Sequence, residues 1–302
     1  MEQHDPTDLL LLGDNIYMDY GWLGRRRNGS PRKLGLSDFS ARMRDAYEEQ
    51  WQVATFRRFI VGRPVYATWD DHDFAWDNAR GGGLSEDEEH VPKAQREVAR
   101  LHFDTFCEAL SASPKPEILP PDPAPDGVPR RRVAASVATT VTLSAGVRMH
   151  ILDARTFREE RGASLLGEAQ RLALATKLLP PPAVNLLASS STLKEWEEYP
   201  IDFDWLTHHA RSYRILVLSG DKHKPRFRHE GRLYEATASA LAQPPGSARL
   251  RGRKTHVFGL LDIDDDWLTI RLFIADSLVE HRRISRADWS LTTPKGQSHE
   301  NR

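Results

Sequence analysis

The chain has 302 residues, with 42 basic and 43 acidic side chains and a formal net charge of -1. That balance argues against a general nucleic-acid binder or a polybasic membrane-surface protein, both of which carry one-sided charge. With 39% apolar and 28% charged residues the composition is that of a folded globular protein, and a single cysteine, Cys107, excludes a disulfide-stapled scaffold. The apolar runs are too short to cross a bilayer. The first residues lack the basic and apolar regions of a signal peptide, so the chain as given is expected in the cytoplasm.

Short apolar runs at Leu9–Leu12, Val65–Trp69, Met149–Leu152, Val184–Ala188 and Ile215–Leu218 predict strands covered on both faces. Helical patterns lie between them. Phe39, Met43, Tyr47 and Trp51 recur every four residues behind Ser37, a candidate N-cap. Pro92 opens a helix carrying Val98, Leu101 and Phe106, and Ser164 caps one running to Leu179. Residues 81–90, 112–132 and 243–254 read as loops, the second because seven prolines forbid helix and central strand. His256–Ile263, Trp267–Ile274 and Leu278–Ile284 predict an antiparallel meander, with Asp264, Asp265 and Asp266 at its first turn. The expected class is α/β with mixed sheets. The expected organisation is one domain over residues 1–302, with residues 112–132 as an insertion loop.

The acids fall in a pattern. Four of the five predicted inner strands are followed by an Asp-bearing turn: Gly13-Asp14, Asp70-Asp71-His72-Asp73, Asp153-Ala154-Arg155 and Gly220-Asp221-Lys222-His223. Ligands of open α/β sheets bind outside the carboxyl ends of the strands, so these turns share one rim. Clustered carboxylates repel one another unless cations compensate. Asp, His and Tyr ligands suit Fe, Mn, Zn, Mg or Ca, and an aspartate bridging two metals about 3.5–4 Å apart would make a hydrolase centre. Asp153 alone is equally a helix cap. Cys107 reads as a buried apolar residue, and His208 and His209 read as structural. The Asp262–Asp266 run lacks the glycine and distal glutamate of a calcium loop and reads as a hairpin turn.

Six segments together carry a resemblance. They are Gly13-Asp14-Asn15-Ile16-Tyr17, Trp69-Asp70-Asp71-His72-Asp73, Leu152-Asp153-Ala154-Arg155, Leu166-Gly167-Glu168-Ala169-Gln170, Ser219-Gly220-Asp221-Lys222-His223 and Tyr234-Glu235-Ala236-Thr237. In order and spacing the chain resembles the PhoD-like (alkaline phosphatase D) branch of the calcineurin-like metallophosphoesterases. The resemblance implies a four-layer α/β/β/α sandwich with two mixed sheets. It also implies two metal ions, Fe3+ with Ca2+ or another divalent cation such as Zn, Mn or Mg. Asp14 would bridge the metals, Tyr17 and His223 would ligate the first, and Asp71 and Asp221 the second. His72 would face the substrate phosphate as general acid, and Arg155 would meet a phosphate oxygen.

The chain departs from the family pattern at its start. The family's first motif, a Cys or Asp ligand on the preceding strand, has no counterpart in the twelve residues before Gly13. This implies a chain that begins about one strand late, with one sheet short of its N-terminal strand and the first metal short of a ligand. If so, a leader peptide would be missing too, and a periplasmic or secreted location would follow. The expected activity is hydrolysis of phosphate monoesters, with diesters second. The alternative is a non-catalytic or truncated metallophosphatase-fold protein acting as an interaction module. Arg25, Arg26 and Arg27 read as a solvated loop or an anion-capturing one. Trp196 and Tyr199 would either line the site or pack. Nothing in the residues decides the oligomeric state.

Overall fold

The computed structural model describes residues 4–20, 30–83, 87–120, 136–222, 224–238 and 256–293. In chain order the elements are β1 (Leu9–Leu12), α1 (Leu36–Trp51), α2 (Ala54–Ile60), β2 (Val65–Thr68), α3 (Asp71–Phe74), α4 (Lys93–Ser111), β3 (Thr139–Ser144) and β4 (Val147–Ile151). There follow α5 (Glu168–Ala175), β5 (Val184–Ser189), α6 (Leu193–Trp196), α7 (Pro200–Ala210), β6 (Arg214–Ser219), β7 (Arg226–Glu230) and β8 (Leu233–Thr237). The chain closes on β9 (Val257–Ile263), β10 (Trp267–Ile274), β11 (Ser277–Ser285) and β12 (Leu291–Thr292).

The strands form a parallel pair β1-β2, a six-stranded mixed sheet in the order β3-β4-β5-β6-β8-β7, and an antiparallel sheet in the order β12-β11-β10-β9. Alternation in β1 explains its place. Leu9 and Leu11 join the cluster of α1, α2 and α4, where Phe39, Met43, Tyr47 and Trp51 are buried. Leu10 and Leu12 turn the other way, onto the six-stranded sheet. The sheet's inner strands are parallel, joined by crossovers through α5 and through α6 with α7. The helical crossovers cover the face carrying Leu187, Ile215 and Val217. The opposite face, with Met149, Leu186 and Leu216, packs on Leu268, Ile270 and Leu272 of β10. Cover on both sides is why β5 is buried along its whole length.

Several expectations need correction. The resemblance implies two sheets, whereas the described residues form three. β1 and β9 each have one strand partner and do not pair with each other. A cavity of about 520 Å3, lined by residues of both strands and by Met149, Leu186 and Leu218, lies between them. Ser37 does not cap α1; Gly35 occupies the N-cap position and Ser37 lies inside the first turn. Ser164 does not start a helix reaching Leu179 either. The chain at Gly167 (φ +73) starts α5 only at Glu168 and ends it at Ala175, and the Ser164 hydroxyl donates instead to Asp202, 3.0 Å. β3, β7 and β8 have no counterpart among the predicted strands, because their mixed Thr, Arg and Glu residues mask the apolar period. Residues 112–120 are irregular, as the prolines require, while 121–135, 243–254 and Arg25–Arg27 lie outside the described residues. No described helix is long and apolar enough to cross a membrane.

Two close approaches draw the strand ends together. A Cβ on Gly220 would lie 2.2 Å from the Leu12 carbonyl oxygen, and one on Gly13 (φ +86) would lie 2.6 Å from Cβ of Asp70. Gly220→Ala should therefore destabilise the fold by about 1–3 kcal/mol, read as a lower urea midpoint, because a carbonyl cannot yield as a flexible side-chain tip would.

Candidate metal centre

The turn after β2 is the centre of the site. Asp70 caps α3 in a reciprocal box with Asp73, whose carboxylate accepts the Asp70 N–H at 3.0 Å. The same carboxylate accepts the Asn15 backbone N–H at 3.1 Å and the Asn15 side-chain amide at 3.2 Å. Asn15 also donates to the Thr68 carbonyl, 2.9 Å. The turn after β1 is thereby fixed against the turn after β2. Asp14 sits in the left-handed region (φ +52), a conformation that Asp and Asn tolerate better than other side chains.

Asp14, Asp71 and His72, all buried, bring ligand atoms within 4.8 Å of one another. The Tyr17 hydroxyl donates to Asp14 Oδ2 at 2.8 Å, and its ring lies 4.3 Å from that of His72. Burial, reinforced by the charge of Asp71, pushes the Asp14 carboxyl well above the usual carboxylate range. Asp70 is also raised by burial, against the pull of Arg155. Burial works on Asp71 in the same direction, but Arg155, His72 and the Asn78 N–H outweigh it and bring it down to about 2. Burial thus disfavours the charged form of both Asp14 and Asp70. Asp70 Oδ2 is fully buried and has no hydrogen-bond partner, an orphaned oxygen of the kind a cation satisfies. By that test the residues fit a metal.

The resemblance implies that His72 faces substrate, and the structure brings it into the carboxylate group itself. Its Nδ1 lies 2.7 Å from Asp19 Oδ1, and Asp19 Oδ2 accepts the Asp77 N–H at 3.2 Å. Burial alone would lower the imidazole, but Asp19, Asp71 and Asp14 raise it to about 10. Nothing in Met18-Asp19 separates Asp19 from an ordinary loop acid in the sequence; its role shows only in its contact with His72.

Arg155 is 1% exposed. Its Nε and Nη2 lie 2.6 and 2.5 Å from Asp70 Oδ1, and Nη2 lies 3.8 Å from Asp71 Oδ2. A phosphate oxygen would have to displace Asp70 to reach that fork. Asp221 follows β6 at φ +60. It lies outside the group formed by Asp14, Asp71 and His72, although its charge is felt by Asp70 and Arg155. His223 lies outside the described residues.

The remaining marker residues hold the turns. Asp153 accepts the Trp69 indole N–H at 2.9 Å, the Ser136 hydroxyl at 2.7 Å and the Arg155 N–H at 3.1 Å. Gln170 brackets Asp153, accepting its N–H and donating to its carbonyl, both at 2.8 Å. Glu235 accepts from the Leu193 N–H at 2.7 Å and the Ser219 hydroxyl at 2.8 Å. Trp196 and Tyr199 are buried in packing, and the Tyr199 hydroxyl accepts from Arg158 Nε at 2.7 Å. Cys107 packs against the core of α1 and α4.

No family model matches the chain, and no curated protein matches it. Among solved structures it is similar to PhoD, with a TM-score of 0.63 and 15% identity over 98% of this chain and 69% of that one. A conserved uncharacterized protein of Streptococcus pneumoniae TIGR4, a predicted phosphoesterase, aligns over 28% of this chain and 48% of its own, at 21% identity and a TM-score of 0.20. The likeness to PhoD is one of fold: this chain shares a mixed α/β architecture of several sheets with it.

Proposed function

We propose that the chain is a metal-dependent hydrolase of phosphoric esters, acting first on monoesters and second on diesters. The observation that carries the reading is the buried Asp14–Asp71–His72 group at the carboxyl ends of adjacent strands. The PhoD-like fold supports it, as does the packing of α1, α2 and α4 on β1-β2 and of α5, α6 and α7 on one face of the six-stranded sheet, which is in keeping with a four-layer α/β/β/α sandwich. In this reading Asp14, Tyr17, Asp71, Asp221 and His223 hold two cations, Fe3+ with Ca2+ or another divalent ion. Bound cations supply Lewis-acid polarisation of the phosphoryl group and of the attacking water.

The chain's own groups do the rest. Asp19 accepts from His72 Nδ1, fixes the ring and favours its charged form. Nε2–H is then left to give its proton to the departing ester oxygen. Arg155 acts from behind, its charge keeping Asp71 ionised. The test is leaving-group dependence in the metal-loaded protein. His72→Asn should slow hydrolysis of an alkyl phosphate by about 100-fold or more and of p-nitrophenyl phosphate far less, since nitrophenolate departs without a proton. Equal losses on both esters would remove His72 as the acid, and no hydrolysis of either ester by the metal-loaded wild type would remove the hydrolase reading.

A further inference from the structure

Lys222 stands between two carboxylates at the edge of the site. Its Nζ is ion-paired with Asp221 Oδ2 and lies 3.6 Å from Glu195 Oε1. The backbone sets this up. Lys222 N–H donates to the Gly220 carbonyl at 2.8 Å, so Asp221, at φ +60, is the middle of a three-residue turn of the strained hand. That turn folds the Lys222 side chain back over its neighbour's carboxylate. The Lys222 side chain is half exposed, at 52%, against 17% for Asp221, so it lies on the solvent side of the pair. Glu195 is itself fixed. It accepts the Thr192 N–H at 3.1 Å and lies 3.6 Å from Arg158 Nη2.

An ammonium and a metal ion cannot share one carboxylate oxygen at contact distance without strong repulsion. We propose that Lys222 is a resident counter-ion of Asp221 which an incoming metal must displace, and that Glu195 receives the displaced ammonium, so that Lys222 sets the affinity of this half of the site. The inference rests on the metal-centre reading above. It gives Lys222, which lies between Asp221 and His223 in the sequence, a defined task. While cation is scarce, Lys222 shields Asp221. Once cation is bound, the ammonium rests on Glu195 and remains at the rim.

The test is a calorimetric Mn2+ titration of the full chain, stripped of metal beforehand, for wild type, Lys222→Met and Lys222→Arg. Met removes the competing charge and keeps the stem, so Mn2+ should bind roughly five- to tenfold tighter. Arg keeps the charge and should keep the wild-type affinity. The gap between Met and wild type should narrow in high salt, because a half-exposed charge is screened. Equal or weaker binding by Lys222→Met, with the wild type binding normally, would overturn the role of Lys222 and leave the metal centre standing. No binding by any of the three proteins would overturn the metal centre itself, and this inference with it.

Discussion

Asp14→Asn should move stability and chemistry in opposite directions. The metal-free variant should melt at a higher temperature than wild type, because burial and Asp71 both penalise the Asp14 carboxylate and Asn carries no charge to penalise. The backbone tolerates the change, since Asn accepts the left-handed φ of +52 as readily as Asp, and its amide oxygen still accepts from Tyr17. Metal affinity should fall by at least about 100-fold, and hydrolysis should fall with it. The check is a thermal melt after chelation beside elemental analysis without chelation. A variant with normal metal content would remove Asp14 as a shared ligand. A lower melting temperature in the stripped variant would mean that the favourable interactions of the carboxylate outweigh the cost of burying it.

Arg155→Met should do the reverse and damage the fold first. Arg155 is fully buried against Asp70 and close to Asp71. Removing one member of such a pair leaves buried charge uncompensated, at a cost of about 3–5 kcal/mol. That is a large share of the stability of an ordinary domain, so a markedly lower urea midpoint is expected, with Asp71 losing the cation that keeps it ionised. Lys at this position should rescue poorly, because a single ammonium cannot reproduce the fork that grips Asp70. Combining Arg155→Met with Asp70→Asn should recover much of the loss, since the uncompensated charge goes with its partner. A double variant no more stable than Arg155→Met would show that the guanidinium matters for packing and not for charge.

Much of the site could be read directly from the chain because strand and turn chemistry are local. A run such as Leu9–Leu12 followed by Gly13-Asp14 announces its own end, and the glycines mark where backbones must touch. The carboxylates at 70, 71 and 73 stood out because burying three of them in one turn is costly. What stayed hidden was relational. Asp70 and Arg155 are 85 residues apart, and no local pattern says that the fork expected to meet phosphate is already gripping a carboxylate. Asp19 is invisible for the same reason, as its meaning comes only from the His72 nitrogen beside it. The missing cap at Ser37 and the shortened helix at 168–175 are failures of a different kind. There, local propensity lost to a glycine and to a buried acceptor, Asp202.

Asp153, Gln170 and Glu235 bear on how relationships among such proteins are judged. All three belong to the segments that make this chain resemble others, yet each spends its hydrogen bonds on a turn or a strand end. A descendant could lose Asp14 and His72 and retain these three unchanged, because folding alone would preserve them. Counting matched markers therefore measures shared architecture. On the proposed function, chemistry would depend instead on far fewer letters, on Asp14 and Asp71 as metal ligands and on His72 as the acid.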